Sequence, residues 1–157
     1  MKLKLYYIGS KNPGWAEEIA REYDKKLSQF GKFERILIKS PSMERKSSDQ
    51  KREAEGELLL KKIEPNEFLV LMDERGKKFE NSPDLSQRLQ KIMSGSQSTV
   101  SFVIGGPYGF SSAVRERANE LWSLSNLTMN HHVAQVAFLE QLYRSFAIWK
   151  NLPYHND

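Results

Sequence analysis

The residues best able to do chemistry fall late in the chain. Gly105-Gly106-Pro107-Tyr108-Gly109 follows the apolar run 99–104. Glycines let a ligand approach the backbone closely, and a turn leaving a buried strand stands where open α/β sheets bind ligands. The turn is not G-x-G-x-x-G, and no Lys-Ser/Thr follows, so it is neither a dinucleotide fingerprint nor a phosphate loop. A tight structural turn and a nucleotide-like ligand both stay open. Leu124-Ser125-Asn126-Leu127-Thr128-Met129 leaves another short strand at the same edge. Its backbone groups suit the edge of an adenine, and its Leu and Met side chains suit the face, although any loop has such residues. His131-His132 suggests a metal, but no Cys, Asp or Glu lies nearby at ligand spacing. No metal is expected, and a helix-terminal or core histidine is the ordinary reading. Glu140 and Arg144 stand at i, i+4 in the favourable order for an ion pair; alternatively Arg144 faces a phosphate. The tail Leu152-Pro153-Tyr154-His155-Asn156-Asp157 either frays or presents its Tyr and His to a neighbouring site, where His exchanges protons near neutral pH.

These residues must be positioned by regular elements. Leu3, Leu5 and Tyr7 share one face of a strand over 2–8. The turn-rich 9–14 leads to a helix over 15–30 with Trp15, Ile19, Tyr23, Leu27 and Phe30 in one stripe, stopped by Gly31. A strand over 33–38 follows. The basic stretch 40–52, Met43 included, begins as a mobile loop and runs into a helix with late apolar residues Leu58, Leu59, Leu60 and Ile63. Its Lys/Arg cluster is a solvated helix face or a phosphate-contacting arm. The apolar runs 67–72 and 99–104 read as strands buried on both faces, and 73–77 as a loop. Ser82-Pro83 starts a helix, and Ser111 or Ser112 caps another that lasts to about 121. A short strand over 122–125, a loop over 126–132 and a long helix over 133–150 close the pattern. Strands alternating with helices predict a single α/β domain over 1–157 with a mostly parallel sheet flanked by helices. The last helix is apolar nearly all round, so the side away from the sheet calls for a partner, most economically a second copy in a homodimer.

Composition narrows the function. The 157 residues contain no Cys, which excludes disulfides, Cys-ligated zinc, iron–sulfur clusters and thiol nucleophiles. No apolar run reaches the ~20 residues of a membrane span, and a cytoplasmic location is expected. A net charge of +4 from 24 Lys/Arg and 20 Asp/Glu permits nucleic-acid binding without establishing it.

Taken together the segments resemble the RlmH-type (YbeA-like) proteins of the SPOUT methyltransferase superfamily. The resemblance covers essentially the whole chain. It is carried by the opening Lys-Leu-x-Leu strand with Gly9, Glu55-Gly56, residues 71–77, Ile104-Gly105-Gly106-Pro107-x-Gly109, Trp122-Ser123-Leu124-Ser125-x-Leu127-Thr128, Glu140-Gln141-Leu142-Tyr143-Arg144 and Pro153-Tyr154-His155. It implies an α/β sheet with a C-terminal trefoil knot, one of the rare exceptions to unthreaded connections. It further implies a homodimer, S-adenosyl-L-methionine as cofactor, and methylation of N3 of a pseudouridine in helix 69 of 23S rRNA on the assembled ribosome. By position, the cofactor pocket comprises Met72, Gly105, Leu124, Ser125, Asn126, Leu127, Thr128 and Met129. Arg144, Tyr154 and His155 match the substrate-facing catalytic positions, with Glu140 beside them and the tail reaching the partner protomer's pocket. His155 leads as proton acceptor and Arg144 as anion stabiliser. Two positions depart from the family: Asn130-His131-His132 replaces the usual Pro-His-Pro or Pro-His-Gln, and Gln135 replaces an arginine, whose charge falls to Lys11, Arg75 or Lys77 or is dispensable. The alternatives are a related methylase acting on transfer RNA, a non-catalytic ribosome-binding or assembly factor, and a nicotinamide-nucleotide enzyme, the last disfavoured by the missing fingerprint.

Overall fold

The computed structural model describes residues 1–42 and 44–156; Met43 in the basic stretch and Asp157 at the tail's end lie outside the described residues. Strands and helices alternate: β1 (Lys2–Gly9), α1 (Gly14–Leu27), β2 (Lys32–Lys39), α2 (Ser48–Lys62), β3 (Phe68–Lys78), α3 (Ser82–Met93), β4 (Thr99–Ile104), α4 (Ser112–Arg117), β5 (Glu120–Ser123) and α5 (His131–Trp149). The sheet order is β2-β1-β4-β3-β5, and every pairing is parallel. The α/β architecture with a parallel sheet is therefore as the alternating pattern predicts.

Side-chain alternation divides the core between the two faces of the sheet. Leu3, Leu5, Val70, Val100, Phe102 and Ile104 point to the side that holds Ala20 of α1, Leu89 of α3 and Phe138, Leu142 and Phe146 of α5. Tyr6, Ile8, Ile38, Leu69, Leu71 and Val103 point to the opposite side, against Leu59 of α2 and Val114 of α4. The central strands are thus buried on both faces, which is why they read as nearly unbroken apolar runs.

Several boundaries differ from the sequence expectation for identifiable reasons. Residues 73–77 are not a loop: β3 continues to Lys78 through a register shift, after which Lys77 pairs with Trp122 and Lys78 with Ser123. Gly76 permits that close passage, since a Cβ there would stand 2.4–2.6 Å from main-chain atoms of Leu121 and Trp122. The strand expected over 122–125 begins two residues earlier because Asn119 primes it, its N–H donating to the Leu69 carbonyl and its Oδ1 accepting from the Leu69 N–H, both at 2.8 Å. That early start ends the preceding helix at Arg117 rather than near 121. Asn81 rather than Ser82 caps α3, its side chain accepting from Asp84 N–H at 2.9 Å. On α1 the buried residues are Ala16, Ala20 and Leu27, and Trp15 of the expected stripe is 51% exposed. The last helix starts at His131, capped by Asn130, whose side chain accepts from His132 N–H at 2.8 Å.

Candidate functional site

The carboxyl ends of β3, β4 and β5 open into one cavity of about 710 Å³. Its wall includes Met72 from β3, Gly105 from the turn after β4, and Leu124, Ser125, Asn126, Leu127, Thr128 and Met129 from the loop after β5. All the residues assigned to the cofactor on sequence grounds therefore meet in a single crevice at the expected sheet edge. The fold does this because β4 and β5 end at the edge that β3 crosses at its register shift after Met72, so the turn after β4 and the loop after β5 leave beside it.

Local chemistry shapes the cavity. Gly105 is packed against Phe110, whose ring would lie 2.9 Å from a Cβ at that position. The loop over 124–129 is folded back by two short-range bonds, Ser123 Oγ to the Ser125 carbonyl at 3.0 Å and Leu127 N–H to Ser125 Oγ at 2.9 Å. Leu127 is 77% exposed, so an apolar side chain stands at the rim with nothing covering it. Buried Asp73 closes the opposite side, held by Arg115 Nη2 at 2.9 Å and by the Arg75 N–H at 2.9 Å. Apolar Met72, Ile104, Leu124 and Ala134, with unspoken-for main-chain donors and acceptors, suit a nucleoside with an apolar and a hydrogen-bonding face. The volume also lies within the ~300–1,000 Å³ usual for small-molecule sites.

The first turn of α5 is tied to the same region by a polar network. Arg35 reaches from β2, its side chain only 7% exposed, and binds Glu17 and Asp24 at 2.9 and 3.0 Å. Its Nη1 also donates to Gln135 Oε1 at 3.3 Å. Asn12 donates to Gln135 at 2.7 Å and to Glu17 at 3.0 Å, and its Oδ1 meets His132 Nδ1 at 2.9 Å. Hydrogen bonding to Arg35 pushes the Glu17 carboxyl down to about 2. The cation hydrogen-bonded to Gln135 is Arg35. Sequence reasoning missed Arg35 because it lies a hundred residues away on a strand with no motif around it.

Arg144, Tyr154 and His155 form a second cluster, apart from the cavity. Glu140 Oε1 accepts from Arg144 Nη2 at 2.5 Å and from the Tyr154 hydroxyl at 3.1 Å. The Arg144 guanidinium lies over the Tyr154 ring at 4.8 Å, and Tyr23 meets Tyr154 hydroxyl to hydroxyl at 3.3 Å. The tail is thus folded against α5 and α1 instead of fraying. Burial and the Tyr23 bond push the Tyr154 phenol up, so it stays protonated. Arg144 Nη1 lies 3.2 Å from His155 Nδ1. A guanidinium only donates, so Nδ1 is the acceptor here and Nε2 carries the proton. None of these residues lines the cavity. His131 and Ala134 do, and Arg144 lies ten residues beyond Ala134 along α5, which at 1.5 Å per residue is about 15 Å.

Comparisons with known proteins agree with this layout. A family model described as "Predicted SPOUT methyltransferase" matches residues 1–155. The chain belongs to the SPOUT methyltransferase family. Proteins named Ribosomal RNA large subunit methyltransferase H are similar over their full length: 40% identical in Parabacteroides distasonis, covering 100% of each chain, and 42% in Flavobacterium psychrophilum, again 100% of each. The Bdellovibrio bacteriovorus protein of that name is 40% identical over 99% of each chain. Among solved structures, a Legionella pneumophila protein described as a methyltransferase, with the cofactor SAM bound, superposes with a TM-score of 0.51. That match has 12% identity and covers 92% of this chain and 66% of the other, and it shows the shared fold. Among the described residues no group of three metal-ligating side chains occurs, and no helix is long and apolar enough to cross a membrane.

Proposed function

We propose that the protein methylates large-subunit ribosomal RNA with S-adenosyl-L-methionine, at N3 of a pseudouridine in helix 69 of 23S rRNA on the assembled ribosome. The reading carries with it a cytoplasmic location, a C-terminal trefoil threading of the loop that lines the cavity, and a homodimer. The observation that carries it is the meeting of Met72, Gly105 and the 124–129 loop in one cavity within a SPOUT chain. When bound there, the cofactor supplies a methyl group on a sulfonium sulfur.

The chain's own residues then have distinct tasks. Met72, Leu124 and Leu127 pack an aromatic base, and the backbone of 124–129 binds its edge. The imide N3–H of pseudouridine is a weak acid and must lose its proton to become a good nucleophile. Arg144 suits the developing anion or an adjacent phosphate. His155 takes the proton, with Tyr154 holding the tail in place. The deprotonated N3 would then bond to the methyl carbon as the carbon–sulfur bond breaks, its electron pair staying on sulfur as a neutral thioether.

Arg144 stands about 15 Å along α5 from Ala134 in the cavity wall, and the tail serves the cavity of a second copy. Val133 and Trp15, 45% and 51% exposed at neighbouring helix starts, leave apolar surface for such a partner.

Mass spectrometry of ribosomal and transfer RNA from a deletion strain tests the function. One methyl group should vanish from a pseudouridine-containing fragment of 23S rRNA and return on complementation. Unchanged ribosomal RNA with a methyl lost from transfer RNA would assign the protein to another substrate.

A further inference from the structure

A second cavity, of about 390 Å³, adjoins the first and shares Pro107, Tyr108 and His131 with it. Among the described residues, two buried side-chain atoms lack a hydrogen-bond partner: Glu55 Oε1 and His131 Nε2. Both residues line this second cavity. Buried polar groups are normally paired, so two orphans in one wall call for an explanation.

The surrounding chain keeps them in place. Glu55 is 2% exposed, and its other oxygen accepts from the Ser40 hydroxyl. Gly106 stands against it: a Cβ there would lie 3.2 and 3.4 Å from the two carboxyl oxygens. Gly9, at the end of β1, stands likewise 3.5 Å from His131 Nε2 by the same measure. Burial pushes the Glu55 carboxyl up and the His131 imidazole down. At the rim, the Lys51 ammonium sits 5.2 Å from the centre of the Tyr108 ring, and Lys39 is exposed. The cavity therefore combines an inner hydrogen-bonding wall, an aromatic side and a cationic rim next to the methyl-donor crevice. That is what a base taken out of its stack requires, with base edges read inside and phosphates met outside.

We propose that this second cavity receives the flipped-out target pyrimidine, with Glu55 Oε1 accepting a ring N–H and Lys39 and Lys51 meeting the flanking phosphates. The inference rests on the pseudouridine reading above and deepens it. Pseudouridine has two ring N–H groups, because its ribose is attached through carbon; uridine has one. Binding N1–H to Glu55 leaves N3 for methyl transfer. Glu55 is then a residue that selects pseudouridine over uridine.

The test uses Glu55→Met, close in shape and apolar. The substitution removes one unpaired buried atom but also the acceptor of the Ser40 hydroxyl, so Tm should stay within a few degrees, and affinity for S-adenosyl-L-methionine should stay within about twofold. With ribosomes carrying pseudouridine at the target, kcat/KM should fall about 10- to 100-fold, the worth of a hydrogen bond to a carboxyl group. With ribosomes carrying uridine there it should change little, so the preference between the two substrates collapses. An unchanged preference overturns the proposal, as does a loss of transfer explained wholly by weaker donor binding. A second measurement needs no variant: titration of the wild-type protein with pseudouridine 5′-monophosphate, followed by amide NMR. Shifts at Gly9, Ser40 and Gly106 are expected. Shifts confined to 124–129, or none at millimolar nucleotide, overturn the assignment. A wild-type protein that binds the donor but transfers nothing to ribosomes sinks the functional reading instead, and the titration then decides the cavity alone.

Discussion

Replacing Glu17 with Gln tests the network that anchors the start of α5 beside the donor cavity. Glu17 accepts from Arg35 Nη2 and Nη1 at 2.9 and 3.0 Å and from Asn12 at 3.0 Å. Its carboxyl falls from 4.5 to about 2. A shift of about 2.5 pH units at 1.36 kcal/mol each gives at most about 3.4 kcal/mol. The side chain is 29% exposed and Asp24 still holds Arg35 in the variant, so about 2 kcal/mol is expected. The folded-state value lies below the unfolded one. The stabilisation is therefore complete above about pH 4.5 and is lost as pH falls toward 2. Urea denaturation of wild type and variant at fixed protein concentration should show a gap of about 2 kcal/mol at pH 7, worth about 4–8 °C in Tm for a chain of this size. At pH 3 the gap should shrink to roughly 0.4 of that value. A gap of the same size at both pH values would refute the electrostatic origin.

Two further substitutions address the site itself. Gly76→Ala forces a Cβ into the backbone of β5; it should cost about 1–3 kcal/mol in chemical denaturation and weaken S-adenosyl-L-methionine binding in calorimetry, because β5 leads into the 124–129 loop. A variant with wild-type stability would show that the bulge tolerates a side chain. His155→Ala should lower single-turnover methylation of ribosomes at least ~100-fold while leaving donor affinity unchanged; an unaltered rate would take the proton-accepting role away from it.

The elements were legible wherever burial imposed a period. β1, β3 and β4 showed as apolar runs, and Gly105 and the 124–129 loop fell at the same edge because parallel strands end there together. What failed to show was polar. Residues 73–77 read as a loop because a strand whose Glu74, Arg75 and Lys77 are all exposed has no hydrophobic signal, and its pairing depends on a glycine bulge. Asn119 extended β5 by acting as a backbone mimic, which no periodicity reports. Arg35 and Glu55 were invisible as site residues for the same reason: their importance comes from partners, or the lack of one, far along the chain. The tail read first as a frayed end, with a presented site as the alternative; its packing depends on Tyr23 and Lys26 of α1, which no local motif could announce.

We propose that a second copy brings together the cavity of one chain and the tail of the other, which lie about 15 Å apart along α5 within one chain. Co-expression of two differently tagged chains, one Gly105→Val and the other Arg144→Ala, tests it directly. Each homodimer should be inactive on ribosomes. The purified mixed dimer contains one cavity and one opposing tail, both intact, and should recover about half the wild-type turnover. A mixed dimer as inactive as its parents would show that cavity and tail act within one chain, and would contradict the account.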